Sequence, residues 1–216
     1  MPNSPPLQRL RLIVGLGNPG AEYAKTRHNA GFWFCERLAK QIGVGLNRES
    51  RFNAIAGNAR EQNIWLLMPQ NFMNRSGGAV RALTQFYRIE PADMLVVHDE
   101  LDLPPGRLQL RFGGGLGGHN GLKDITAQLG TQDYWRLRVG IGHPGDRNEV
   151  VNYVLKPPQK DEQGKIDVAL DRALQSWPQL TEGNLEAAMK QLNTRPLAAK
   201  TEPPKADSPN PKKESP

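Results

Sequence analysis

Four places along the chain set side chains capable of acid–base or polar chemistry beside a turn. Asn18 is followed ten residues later by His28, Asn71 stands near Asn74, His98 adjoins Asp99, and His119 adjoins Asn120. An imidazole titrates near ~6.5 and can take up a proton at neutral pH. A carboxylate beside it orients the ring and makes it more basic, as a general base requires. Carboxamides can hold a carbonyl oxygen and stabilise the charge it gains under attack. The chemistry these types share is hydrolysis. No serine lies in a G-x-S-x-G turn, and Cys35 falls on a helix stripe that reads as core, so water is the expected nucleophile. No Cys/His set has zinc spacing, and the run His98-Asp99-Glu100 with Asp102 reads as solvent-facing, so neither metal nor cofactor is expected. Singly, each group also suits a structural post: Asn as a cap or turn residue, His packed in a core.

Such groups need elements to hold them. Residues 12–14, Leu-Ile-Val, read as a buried strand running out at Gly17-Asn18-Pro19-Gly20. Sheets covered by helices bind ligands at such strand ends. Gly15 to Gly20 also fits G-x-G-x-x-G, but Pro19-Gly20 interrupts where a dinucleotide fold opens a helix, and no acidic strand end follows at the needed spacing. Asn29 can cap a helix over 30–42, with Phe32, Cys35, Leu38, Ala39 and Ile42 as its buried stripe. Strands are expected over 52–59 and 64–68 as a hairpin, and over 94–97, 107–112 and 135–141. Helices are expected over 78–87 and 122–129, then in the region after Pro157-Pro158, and finally from Pro178. This alternation predicts an α/β fold, one three-layer domain whose hairpin makes the sheet mixed. Arg107 to Phe112 alternates basic with apolar residues, and Arg136 and Arg138 share one face of the later strand.

The net charge of +6 permits a nucleic-acid partner without requiring one. A single cysteine suits a reducing compartment, no apolar run spans a membrane, and no secretory signal is evident, so the expected address is the cytoplasm. Nine of the 18 prolines lie in residues 1–6 and 195–216. We expect a flexible extension over 1–8, a catalytic domain over 9–194 and a disordered Pro/Lys-rich tail over 195–216.

Five blocks in order carry a resemblance: GLGNPGAEYAKTRHNAG from Gly15, MPQNFMNRSG from Met68, HDELDLPPG from His98, GGGLGGHNGLKDI from Gly113 and RLRVGIGHPG from Arg136. Together they resemble the bacterial peptidyl-tRNA hydrolase family. The resemblance implies a monomer with a twisted mixed sheet that cleaves the ester joining a peptide to the 3′ ribose of tRNA. By position, it implies His28 as the base, Asp99 orienting it, and Asn18, Asn74 and Asn120 holding the peptide and the scissile carbonyl. His119, Tyr23, Phe72 and Met73 would line the same cleft, while Arg111 and Arg138 would grip the 5′-phosphate; from its place on the strand face of Arg138, Arg136 is expected to assist. The alternative for these arginines is a surface pair with Asp124 or Asp133. The chain departs from the family pattern at Asn71, where Thr is usual, at Leu116 within the glycine loop, and at Arg111, where Lys is frequent. Two other functions compete: a non-catalytic relative acting in RNA processing, and a nucleotide-dependent oxidoreductase suggested by the glycine pattern.

Overall fold

Side-chain alternation along the strands decides the layers. Strand β1 (Leu12–Gly15) turns Leu12 and Val14 to one face and Ile13 to the other. In the computed structural model, which describes residues 9–194, it sits in the middle of a seven-stranded sheet. The spatial order is β2 (Asn47–Glu49), β3 (Ala54–Ala59), β4 (Ile64–Pro69), β1, β5 (Met94–Glu100), β7 (Trp135–Gly140) and β6 (Leu108–Phe112). The central four strands are parallel, and both edges are antiparallel. Helices α2 (Gly77–Tyr87) and α3 (Asn120–Leu129) pack on the face of Leu12, Val14 and Val96. Helices α1 (Ala30–Gln41), α5 (Lys160–Gln175), α6 (Trp177–Thr181) and α7 (Leu185–Asn193) pack on the face of Ile13, Val97 and Leu137. The expected three-layer α/β fold with a mixed sheet is therefore present, including the β3–β4 hairpin.

Chain direction places the site. From β1 the chain reaches β4 on one side, then crosses to β5 on the other. Strand β1 ends at Gly15 opposite Val97, β5 runs on three residues further to Glu100, and the Leu16 amide donates to the Val97 carbonyl at 3.0 Å. A reversal of this kind opens a crevice at the strand ends.

Several local expectations change. The strand expected over 94–97 runs on to Glu100, so His98 and Asp99 lie within β5 rather than beyond it. Their polarity hid this, because every residue of β5 is buried and each polar one bonds through at least one side-chain atom. A short edge strand, β2, went unread, and Val150–Val154 forms a five-residue helix, α4. The single helix expected from Pro178 is two, α6 and α7. Asn29 precedes α1 without capping it by its side chain, for its carboxamide is engaged elsewhere. No helix opens off the glycine turn. A polar loop and a turn at Arg27–Asn29 intervene before α1, against the dinucleotide geometry. The terminal segments over 1–8 and 195–216 lie outside the described residues.

Candidate active site

Two glycines bring the histidine turn onto the sheet. A Cβ at Gly31 would overlap the Leu16 amide and the Val97 carbonyl, and one at Gly15 would overlap the Gly31 carbonyl. Backbone therefore meets backbone where α1 begins, which any side chain would prevent. The result is that His28, just before α1, reaches Asp99 on β5: Nδ1 lies 2.9 and 3.0 Å from the two carboxylate oxygens. From the other side His119, at the start of α3, places Nε2 3.1 Å from Asp99 Oδ1. Asp99 is 3% exposed. Burial pushes its carboxyl up, but the two histidines, by charge and hydrogen bond, hold it well below the usual carboxylate range.

Ionised Asp99 can only accept, so each facing imidazole nitrogen carries a proton. His119 then uses both nitrogens, because its Nδ1 accepts from the Leu122 amide at 3.3 Å as the N-cap of α3. His98 donates Nδ1–H to the Asp99 carbonyl at 2.7 Å, and its Nε2 is buried without a partner. Burial, with the nearby His119 and Arg136, pushes His98 down to about 3, so it is a neutral core residue. His28 differs from both. Its Nδ1 donates to Asp99, while its Nε2 has no hydrogen-bond partner among the described residues, and His28 lines the cleft. Burial disfavours its imidazolium, but the charge and hydrogen bond of Asp99 outweigh this and raise its pKa above 6.5.

His28, Asp99 and His119 offer potential ligand atoms within 4.8 Å of one another. Both histidines already bond the Asp99 carboxylate, so the cluster is satisfied by its own hydrogen bonds.

The cleft encloses about 660 Å³ and is lined by Asn18, Tyr23, His28, Phe72, Met73, Asn74, Asp99, His119 and Asn120. The structure thus brings together nine of the residues singled out from sequence. Asn18 spends its Oδ1 on the Met73 amide at 2.7 Å, which fixes the turn bearing Phe72 and Asn74. Its backbone is in turn clasped by Asn29, which accepts from the Asn18 amide at 2.8 Å and donates to its carbonyl at 3.0 Å. With Oδ1 bonded to the Met73 amide, the Asn18 carboxamide keeps its N–H donors for the cleft. Asn74 and Asn120 are exposed and bond to no protein group among the described residues. Tyr23 and Phe72 meet edge to face, with ring centroids 6.1 Å apart.

The arginines lie beside the cleft. Strands β6 and β7 do pair, but the register sets Arg111 opposite Arg136 and Gln109 opposite Arg138. Arg138 is held by Glu100 at 2.6 Å, by Gln109, and by Asp102 at 3.8 Å. Neither Asp124 nor Asp133 pairs with these arginines; Asp124 instead accepts from the Gly77 amide at the start of α2 at 2.6 Å. Arg136 does not assist at the surface. It is 2% exposed and its guanidinium donates to the carbonyls of Gly113, Gly114 and Gly115. Arg111 lies across Gly114, where a Cβ would overlap its guanidinium, and makes no hydrogen bond or ion pair among the described residues.

A model of the family described as peptidyl-tRNA hydrolase matches residues 12–201 of this chain. The chain belongs to the peptidyl-tRNA hydrolase family. Among its relatives, the peptidyl-tRNA hydrolase of Aromatoleum aromaticum is 68% identical over 190 residues, covering 88% of this chain and 97% of that protein. That of Thiobacillus denitrificans is 63% identical, covering 92% and 98%. A crystal structure of the peptidyl-tRNA hydrolase from Acinetobacter baumannii superposes with a TM-score of 0.83 at 47% identity, covering 85% of this chain and 94% of that one.

Within this member of the family, sequence reading missed three contributors to the site. Arg27 and Asn29 flank His28 and anchor its turn, and Val150, Val151, Val154 and Leu155 form an apolar wall of the cleft. The pattern Val-Val-x-x-Val at helical spacing was the available signal for the wall. Nothing in the polar run around Arg27 marked that side chain for burial.

Proposed function

We propose that His28 is the general base of this enzyme and that Asp99 fixes its tautomer and raises its basicity. The reaction is hydrolysis of the ester between a peptide, or an N-blocked amino acid, and the 3′ ribose of tRNA, which releases free tRNA and peptide. The observation that carries the assignment is the unshared Nε2 of His28 beside the cleft: of the three clustered histidines, it alone offers a lone pair there. Water gives a proton to that nitrogen as its oxygen attacks the ester carbonyl. The carbonyl oxygen takes on charge, and the amide donors of Asn18, Asn74 and Asn120 are suited to receive it. As the tetrahedral centre collapses, the C–O bond to the ribose breaks and the imidazolium returns its proton to the 3′ oxygen. One such oxyanion donor is worth ~10²–10³ in turnover.

Arg111, whose guanidinium makes no hydrogen bond or ion pair among the described residues, is the leading contact for the tRNA 5′-phosphate, with Arg138 beside it and already shared with Glu100. Tyr23, Phe72 and Met73 are positioned to hold the aminoacyl end. The enzyme works as a cytoplasmic monomer; no helix among the described residues is long and apolar enough to cross a membrane. The Pro/Lys-rich residues 195–216 offer few apolar side chains, so a chain ending at Asn193 is expected to keep its melting temperature and its activity.

The test is ester release from an N-blocked aminoacyl-tRNA by wild type and His28→Ala. Wild type should release ester rapidly, and the variant should be folded but nearly inert. A wild type that binds the tRNA without cleaving it would point to the RNA-binding role instead.

A further inference from the structure

Arg27 is buried at 5% exposure, and it is the residue immediately before the base. Its Nη1 donates to the carbonyls of Tyr153, Lys156 and Pro157 at 3.1, 3.2 and 3.0 Å. Its Nη2 meets Glu162 at 2.7 Å, and its guanidinium stacks on the Tyr153 ring, 3.9 Å from the centroid. The Arg27 amide also donates to Lys156 at 3.1 Å. These carbonyls belong to the end of α4 and the loop after it, the element that contributes Val150, Val151 and Val154 to the cleft wall. Glu162 belongs to the first turn of α5, where it also closes a capping box on the Gln159 amide. A single fork therefore joins three things: the histidine turn, the apolar wall and the helix behind both.

We infer that Arg27 is a positioning residue for the hydrolysis, holding the cleft wall in register with His28 so that substrate and base meet in one geometry. This rests on the assignment of His28 as the base. An arginine is needed because three carbonyls and a carboxylate must be met at once by a planar fork, which an ammonium cannot do. Several donors spent on carbonyls at a helix end also stabilise that end. Misplacing reacting groups by about an ångström costs ~10²-fold in rate, so the coupling has kinetic consequences although Arg27 touches no substrate. The ionisable groups facing His28 are Asp99 on β5 and His119 on α3, while Glu100, Lys123, His143 and Arg147 line the same cleft. Deleting the Arg27 cation by itself favours the imidazolium and shifts His28 upward, so a shift to lower pH on altering Arg27 reports a ring moved away from Asp99.

The experiment compares Arg27→Gln, Arg27→Lys and, as a control for general destabilisation, Asn184→Ala, which removes the cap of α7. The readouts are the melting temperature, kcat and KM on an N-blocked aminoacyl-tRNA, and the NMR titration of His28. Arg27→Gln should lower kcat by roughly ten- to hundredfold, raise KM, and shift the His28 titration to lower pH as its contact with Asp99 loosens. Arg27→Lys should fall between it and wild type. Asn184→Ala should lower only the melting temperature. Should Arg27→Gln fail to fold, Arg27→Lys carries the same comparison. A folded Arg27 variant with a lowered melting temperature but wild-type kcat, KM and His28 titration would make Arg27 an ordinary structural anchor and overturn the inference. Loss of activity in the Arg27 variants while His28→Ala remained active would instead refute the assignment of the base.

Discussion

Asp99 and Glu100 are neighbours on β5, yet each gathers a cluster of its own and the two clusters are put to different use. Asp99 collects His28 and His119, with His98 on its carbonyl. Glu100 collects Arg138 and the Asp102 amide, while Arg136 and Arg111 attend the glycine loop beside it. In the first cluster, one ring nitrogen is left facing the cleft, and a buried anion tunes it. In the second, two guanidiniums are consumed by protein acceptors and one, that of Arg111, has no bonded partner among the described residues. The difference lies in what remains free: a lone pair that can take a proton, and a cation that can meet a phosphate. Within each set the other members are scaffold, so residue type alone overcounts the working groups.

The sharpest break between the clusters is expected at His28. His28→Ala should keep its fold and lose ~10²–10⁴-fold in turnover. His98→Phe, which keeps a ring against His119, should remain close to wild type in kcat and lose only a hydrogen bond's worth of stability, ~0.5–1.5 kcal/mol. Comparable kinetic losses in the two variants would erase the distinction drawn among the histidines.

A smaller effect is expected at the arginines. Arg111→Ala should weaken binding to RNA bearing a 5′-phosphate and leave binding to the dephosphorylated RNA unchanged. The log–log salt slope should become shallower by ~0.7–0.9 for the one phosphate charge no longer met. Arg138→Ala should show less of this signature and more loss of stability, because Glu100 is left buried without its partner. Equal phosphate dependence in wild type and Arg111→Ala would remove Arg111 from the interface. The smallest effect is a pH dependence of stability. Asp99, depressed when folded, contributes stability that is present above its unfolded value of ~3.9 and is lost as pH falls through the folded value. Acid unfolding curves of wild type and Asp99→Asn should therefore converge at low pH.

Much of this was legible before the fold. The apolar runs in β1 and β4 and the helical stripe of α1 announced the layers, and the polar residues at their ends announced hydrolysis. The contact between His28 and Asp99 was not legible from pattern, because it depends on Gly15 and Gly31 allowing α1 to begin against backbone. Hydrophobic periodicity says nothing about such an approach. The same limit hid the end of β5, where polar residues continue a strand whose partners come from elsewhere in the chain. Arg27 read as one more charge in a polar run. Its burial is decided by carbonyls more than 100 residues away, at 153, 156 and 157. Gly31→Ala tests the packing argument: overlap with the Leu16 and Val97 backbone should destabilise the fold and separate base from carboxylate, lowering turnover in whatever fraction remains folded.

The central claim is that Asp99 holds His28 as a tuned base through Nδ1. Its most direct test is the titration of the His28 imidazole by NMR in wild type and Asp99→Asn, alongside the pH dependence of kcat/KM. In wild type, His28 should titrate above its ordinary 6.5, and the rising limb of activity should follow it, because only the neutral ring accepts a proton. In Asp99→Asn, burial remains while the anion is gone, so both the titration and the limb should move together to lower pH. A His28 titration unchanged by Asp99→Asn, or an activity limb that does not follow it, would contradict the account.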